Sequence, residues 1–382
     1  MTPSPIVLHD FQSQRPGHRA EQGAVLEWIA AAHGRAEAAL QGAEGAGREE
    51  IIRKMRKLVL RFGCSTDRIS ARHSALEDFT HTDWARMRIF PVDQFPAGKP
   101  CGERSRVFAE VAGAAFERFY AEETEPPGAI LHVTCTGYVA PSAAQRLVAR
   151  RGWGRETEVV HAYHMGCYAA LPAIRLAAGL LERGKDRVDL VHTELCTLHM
   201  DPTQHLPEQL VMQTLFADGL IRYRASRPEG AMPGLEWLAA REEIVPDTED
   251  AMTWAVSDFG MRMTLSRKVP EHIRAALGAF LDRLGAPLGL DADALARRAL
   301  FAIHPGGPRI IDEIAELLGL GPDQVQASNA ILRNHGNMSS ATLPHVWQSM
   351  ANDPEVQPGR LIVSLAFGPG LTLSGALMRK RA

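Results

Sequence analysis

From residue 131 to the C-terminus, short apolar runs of strand length alternate with amphipathic helical stretches, and the alternation occurs twice. In the first half LHVTCTG (131–137), EVVHAYHMGC (158–167), RVDLVHTEL (187–195) and LIRYRAS (220–226) read as strands. Helical stretches separate them: PSAAQRLVARRG (141–152), YAALPAIRLAAGLLERGK (168–185) and EQLVMQTLFADG (208–219). The second half repeats the rhythm with helices at 269–285, 292–299, 308–319 and 341–353, a strand into a Gly/Pro turn at 300–307, and a terminal hairpin at 359–380. Two similar βαβα modules commit the chain to an α/β fold. Ahead of them lie a strand at 6–11, helical sequence at 21–61 split near Gly42–Gly47, a loop-rich stretch at 62–100, and a helix at 103–124. That last helix sets Val107, Val111, Ala114, Ala115 and Phe119 on one face. The 226–250 stretch is a plausible seam, so the halves are taken as 1–230 and 231–382.

Composition narrows the classes. The chain has 382 residues, 45 acidic against 42 basic, and is 45% hydrophobic. That suits a soluble enzyme-sized protein with a large core and argues against a nucleic-acid binder. No apolar run is long enough to span a membrane, and MTPSPIVLHDF has no basic segment followed by an apolar one, so a cytoplasmic protein is expected. The five cysteines are scattered, with no CxxC pair, which excludes a disulfide framework.

Three places could carry chemistry. Cys167 stands where a strand ends and a long helix begins, and a thiolate there is favoured by the helix N-terminus. On position alone, a small hydrophobe filling a strand–helix corner is the better fit. In IHPGGPRI, His304 follows a strand and can project into a cleft. In RNHGNMSSAT, Asn337 is either a helix cap or an amide donor. His161, His164, Cys167, His192, Cys196, His199 and His205 could be counted as zinc ligands. They lack the paired-ligand knuckle and lie on strands whose alternate residues face opposite ways, so no metal is expected.

Taken in order, HMGCYAALPAIRLA, EQLVMQTLFADG, HPGGPRIID, HGNMSSAT and FGPGLT resemble the chalcone synthase superfamily of type III polyketide synthases. The resemblance runs from about residue 5 to the C-terminus. It implies a thiolase-like, duplicated five-layered α/β/α/β/α fold and a homodimer. It implies an acyltransferase without metal or redox cofactor. Cys167 would take an acyl group as a thioester. His304 and Asn337 would hold the extender carbonyl while malonyl loses CO2, and the enolate would attack in a Claisen condensation.

The same resemblance places Phe216 as a gate between tunnel and cavity and puts Met263 where the family has a second phenylalanine. Trp254 and Met212 stand where plant members have glycines, and Cys196 and His199 where they have threonines. Arg61 and Arg68 match two of three basic positions that contact coenzyme A phosphates, and Cys64 falls on the third. The expected product is a polyketide such as an α-pyrone or resorcinol, in a specialised-metabolite or antibiotic pathway, from coenzyme A or acyl-carrier-protein thioesters. The alternative is a stand-alone ketosynthase that joins two carrier-bound β-ketoacyl chains into an α-pyrone. A non-catalytic cyclisation partner is a third class, opposed by the intact Cys–His–Asn set.

Overall fold

The computed structural model describes residues 5–307 and 309–382. Met1–Ser4 of the amino-terminal segment and Pro308 of the histidine turn lie outside the described residues.

The chain begins with β1 (Ile6–Gln14) and β2 (His18–Glu21), then folds α1 (Gln22–Leu40) against α2 (Gly45–Phe62). The break between these helices falls at the Gly42–Gly47 stretch that the sequence marks. β3 (Ala71–Ser74) pairs antiparallel with β2. The helix expected at 103–124 is α3 (Cys101–Phe119), and its buried stripe differs from the expected one. Ala112 and Phe116 are buried and Ala114 is exposed, because the stripe that faces the core runs through Arg104, Phe108, Ala112, Ala115 and Phe119 at helical spacing.

The first module follows: β4 (Ala129–Thr134), α4 (Ala143–Arg151), β5 (Glu158–Tyr163), α5 (Ala170–Glu182), β6 (Arg187–Leu195), α6 (Pro207–Leu215) and β7 (Asp218–Ser226). Local chemistry fixes several ends. Ser142 and Gln145 form a reciprocal capping box at the start of α4, and Gly152 closes it in the left-handed conformation. Pro207 opens α6, where its missing N–H would have no helical partner.

The 226–250 seam contains a strand the sequence reading did not assign, β8 (Leu235–Ile244). A hairpin of β9 (Met252–Ser257) and β10 (Gly260–Leu265) follows. The second module comprises α7 (Val269–Gly285), α8 (Ala292–Arg298), β11 (Leu300–Ile303), α9 (Ile310–Leu318), α10 (Gln326–His335), α11 (Thr342–Asn352), β12 (Leu361–Gly368) and β13 (Thr372–Lys380).

Nine strands join in one ladder, ordered β11-β12-β13-β8-β1-β7-β6-β4-β5. The halves meet at the β1–β8 pairing, only three residue pairs long, from Ile6↔Trp237 to Leu8↔Leu235. α5 and α11 lie in the middle, and their core includes Leu131 and Val188 of the first half with Ala302 and Ile362 of the second. α1, α3 and α4 cover the outer face of the first half, and α7 and α9 that of the second. Helices and strands therefore alternate in layers, each strand set covered on both faces. No helix among the described residues is long and apolar enough to cross a membrane.

Candidate active site

Cys167 lies in the loop between β5 and α5, three residues ahead of the first residue of the helix. The loop is tight: His164 and Gly166 adopt φ of 59° and 86°. The turn after β12 closes over it. A Cβ at Gly166 would sit 2.6 Å from Pro369, and one at Gly368 would sit 2.1 Å from the Tyr168 ring. Only glycine permits these approaches, so the second half of the chain clamps the cysteine loop. From the other side the Cys135 sulfur accepts the Gly166 amide at 3.0 Å.

The expectation that a helix N-terminus lowers the Cys167 thiol is overturned. Burial, the largest influence, pushes the thiol up to about 12; Ser339 opposes the rise, Glu194 adds to it and Asn337 opposes it. The thiol donates to Ser339 Oγ at 3.9 Å. The dipole effect fades within one turn, and Cys167 precedes α5 by too much to feel its free amides fully.

Asn337 is fully buried just after α10. Its Oδ1 accepts the Ser339 amide at 2.8 Å and the Thr342 hydroxyl at 3.4 Å, which fixes the orientation of the side-chain amide. Nδ2 is then left buried with no partner. Asn337 is not the N-cap residue of α11, which is Ala341, but its Oδ1 braces the Ser339–Ala341 turn that leads into that helix. Its backbone bridges Phe216: the Asn337 amide donates to Leu215 at 3.0 Å and its carbonyl accepts Ala217 at 2.8 Å.

His304 follows β11 and is held by its own amide on the Leu365 carbonyl at 2.8 Å. Both ring nitrogens are buried without partners. Burial drops the imidazole to about 3, so it is neutral. It makes no hydrogen bond to Cys167 or Asn337 here. The connection is through β12, which runs from Leu365 to the Gly368–Pro369 turn over Gly166.

Glu194 lies beneath these groups and was not singled out in the sequence. It is fully buried at the end of β6. Its carboxylate accepts the Cys135 amide at 3.1 Å, the Thr136 hydroxyl at 2.8 Å and the Ser340 amide at 3.3 Å, as well as the Ser340 hydroxyl. Burial raises its carboxyl and these bonds pull it back. A lone acid in the otherwise apolar end of RVDLVHTEL was the available signal, since an acid is rarely fully buried without partners.

Cys167, Cys135 and Ser339 line a small chamber of about 360 Å3. A larger cleft of about 940 Å3 lies next to it. Phe216, Trp254, Met263 and Cys196 border both, so they form the partition. Trp254 and Met263 are direct cross-strand neighbours on the β9–β10 hairpin, which the sequence reading left unassigned. The Trp254 indole N–H donates to the Cys135 carbonyl at 2.9 Å, and its ring meets His199 edge-on at 6.1 Å. Met212 and His199 line the larger cleft. His199 donates through Nε2 to the Thr136 carbonyl at 2.8 Å and accepts the Met261 amide on Nδ1 at 3.1 Å, which sets its tautomer.

The basic positions lie elsewhere. Arg68 pairs with Asp312 at 2.8 Å, and the Arg61 guanidinium rests over Phe62 at 5.2 Å. Cys64 is buried, its amide donating to Thr214 Oγ1 at 2.8 Å. Neither arginine borders the two chambers. The residues weighed as zinc ligands go to separate partners: His161 to Ser142, His192 to Ser340, and His205 to the Pro202 carbonyl.

Family profiles match both halves of the chain. "Chalcone and stilbene synthases, N-terminal domain" matches residues 107–222, and the C-terminal domain of the same description matches residues 236–381. A 1,3,6,8-tetrahydroxynaphthalene synthase of Streptomyces griseus is 30% identical over 258 residues, 67% of this chain and 68% of that protein. Type III polyketide synthase C of Arabidopsis thaliana is 30% identical over 65% of this chain and 66% of its own length. Probable polyketide synthase 1 of Dictyostelium discoideum is 32% identical over 65% of this chain, but the match spans only 8% of that protein. In fold, the crystal structure of PKS-I from the brown alga Ectocarpus siliculosus matches with a TM-score of 0.81 at 24% identity, covering 100% of this chain and 99% of that one.

Proposed function

Because the chain belongs to the chalcone and stilbene synthase family of type III polyketide synthases, we propose that it is a condensing acyltransferase with Cys167, His304 and Asn337 as its catalytic residues. The observation that carries this reading is the set of buried nitrogens without partners, Asn337 Nδ2 and the two ring nitrogens of His304, one of which bears a proton in the neutral ring. A folded protein rarely leaves such groups unpaired, and a thioester carbonyl arriving in the site would complete them.

The chemistry follows from the groups. The Cys167 proton passes to neutral His304, and the thiolate attacks the donor's acyl carbonyl; the donor thiol leaves, taking the proton. A malonyl thioester then loses CO2, and its electron pair becomes an enolate whose oxygen accepts from Asn337 Nδ2 and His304. The enolate carbon attacks the Cys167 thioester, a C–C bond forms, the C–S bond breaks, and the cysteine sulfur is released with the chain longer by one unit.

Several finer readings belong with this proposal. The lengthened chain passes the Phe216–Trp254–Met263 partition into the larger cleft, whose mainly apolar lining carries Gln209, Gln213 and Asp201 as polar groups. Trp254 restricts that passage, which supports a short chain closing to a single ring such as an α-pyrone or resorcinol. The chain divides functionally at 230/231, with the cysteine in one half and the histidine and asparagine in the other. It is cytoplasmic and homodimeric, its partner docking along β5, which pairs with β4 on one side and with no described strand on the other. The engaged Arg68 and buried Cys64 favour a carrier-protein donor over coenzyme A, and with it the joining of two β-ketoacyl chains as the second reading.

Intact mass after incubation with matched acyl donors tests this. Acylation of the wild-type protein by either donor, followed by a longer product with a malonyl thioester, is expected; no adduct from either overturns the reading. Loading from the carrier protein alone selects the second one. Trp254→Gly should open the partition and shift products to higher mass by one or more two-carbon units. Unchanged product masses would remove Trp254 from the specificity argument.

A further inference from the structure

A second cleft, of about 630 Å3, lies behind the Asn337 loop, between the end of β1, the start of β7, and α10 and α11. Nothing in the proposed reaction uses it. Three histidines line it in file: His73 stacks on His335 at 5.6 Å, and His335 faces His345 at 5.9 Å. His73 is 6% exposed, and its Nδ1 is buried with no partner. The Nδ1 of His345 donates to the Ala341 carbonyl at 2.8 Å, leaving Nε2 unspent. Arg15 stands at the mouth, exposed, with no carboxylate partner among the described residues. Its charge reaches both His73 and His335.

One acid borders the cleft, Asp218. Its oxygens are already taken by the Ala75 amide at 2.7 Å, the Thr197 amide at 2.9 Å and the Thr197 hydroxyl at 2.8 Å. Arg19, whose charge also reaches His73, is paired with Glu21 at 2.6 Å. The cleft thus gathers one free cation and three protonatable rings against a single carboxylate, Asp218, which burial raises to about 6 and whose charge Arg72 partly offsets. An anion beside the Arg15 guanidinium would draw protons onto the rings as it binds and so turn their free nitrogens into donors.

We infer that this cleft binds a small dianion of the phosphate or dicarboxylate type, held by Arg15 and by His73, His335 and His345. The ligand would lie against His335 and Met338, the residues that flank Gly336–Asn337, so occupancy bears on the placement of the Asn337 amide. Burial and the neighbouring charges keep the rings neutral, bringing His335 to about 3 and His345 to about 4 and lowering His73. Binding that takes up protons weakens as pH rises through the pKa of the occupied rings.

Calorimetric titration of the full chain with inorganic phosphate, and separately with malonate, tests this at about pH 6 and about pH 8. Saturable binding at the lower pH is expected, weaker by about tenfold or more at the higher. The stronger of the two probes identifies the source class. Arg15→Ala, at an exposed position where folding is not at stake, should weaken binding by about tenfold, and His335→Gln should flatten the pH dependence. No saturable heat with either probe, or binding indifferent to both substitutions, overturns the site. The readout is binding, so it stands apart from whether Cys167 condenses anything.

Discussion

Cys167→Ala should abolish acyl loading and chain growth while leaving malonyl decarboxylation measurable. Loss of a covalent nucleophile costs condensation at least about 10^3-fold, because no other route to the acyl-enzyme is left. Cys135 and Cys196 share the chamber, but both thiols are buried and pushed well above their usual range, with Glu194 adding to the burial. The groups proposed to stabilise an enolate, Asn337 Nδ2 and the His304 ring, do not involve the cysteine and should keep acting on a malonyl thioester. An acyl adduct on the alanine variant, seen by intact mass, would remove Cys167 from the mechanism. His304→Gln examines the same thiol from the base side. Burial has raised it to about 12, so at neutral pH the isolated thiol is protonated. Burial also brings the lone imidazole to about 3, so the proposed transfer needs thiolate and imidazolium to form as a pair that offsets both shifts, which glutamine cannot do. Alkylation by iodoacetamide at about pH 7 should therefore be fast in the wild type, fall by about tenfold or more in the variant, and recover only as pH rises toward the thiol's own value. Equal rates in the two proteins would exclude His304 as the base.

How much of this was legible in the sequence depends on whether local signals and the fold agreed. α7 and β6 were readable because apolar pattern and length pointed one way, and α4 because its Gly152 stop agreed with its period as well. β8 was not, because LEWLAAREEI mixes acids into a half-buried strand and alternates only weakly. Its identity as a strand comes from its neighbours, β1 and β13, which pair with it from opposite ends of the chain. The β9–β10 hairpin was missed for a similar reason, and with it the fact that Trp254 and Met263 face each other. Cys167, His304 and Asn337 could be listed from their motifs, but their electrostatics could not. The thiol's rise depends on burial under Pro369 and beside Glu194, contacts made between segments far apart in sequence. The same holds for the histidine file of His73, His335 and His345, which no spacing along the chain reveals.

Asn337→Ala should lower malonyl decarboxylation and condensation by about 10^2–10^3-fold, or about 2.7–4 kcal/mol of transition-state stabilisation, the range seen when one oxyanion donor is removed. The geometry sets the direction. Oδ1 is held by the Ser339 amide and the Thr342 hydroxyl, so Nδ2 is the end left without a partner and free to donate. Alanine removes the donor and leaves the Ser339 amide without its acceptor, which risks loosening the loop. Asn337→Asp separates the two effects: it keeps the acceptor for Ser339 and Thr342 but turns a second oxygen toward the developing enolate. If Nδ2 acts as a donor, the aspartate variant should be at least as impaired as the alanine variant, despite better-preserved packing, because like charges face each other where charge builds up. If Asn337 serves only to brace the Phe216 bridge, aspartate should retain most of the activity. Release of CO2 from a malonyl thioester, measured beside acyl loading of Cys167 in the same variants, distinguishes them: loading should persist in both, and decarboxylation should be lost in both.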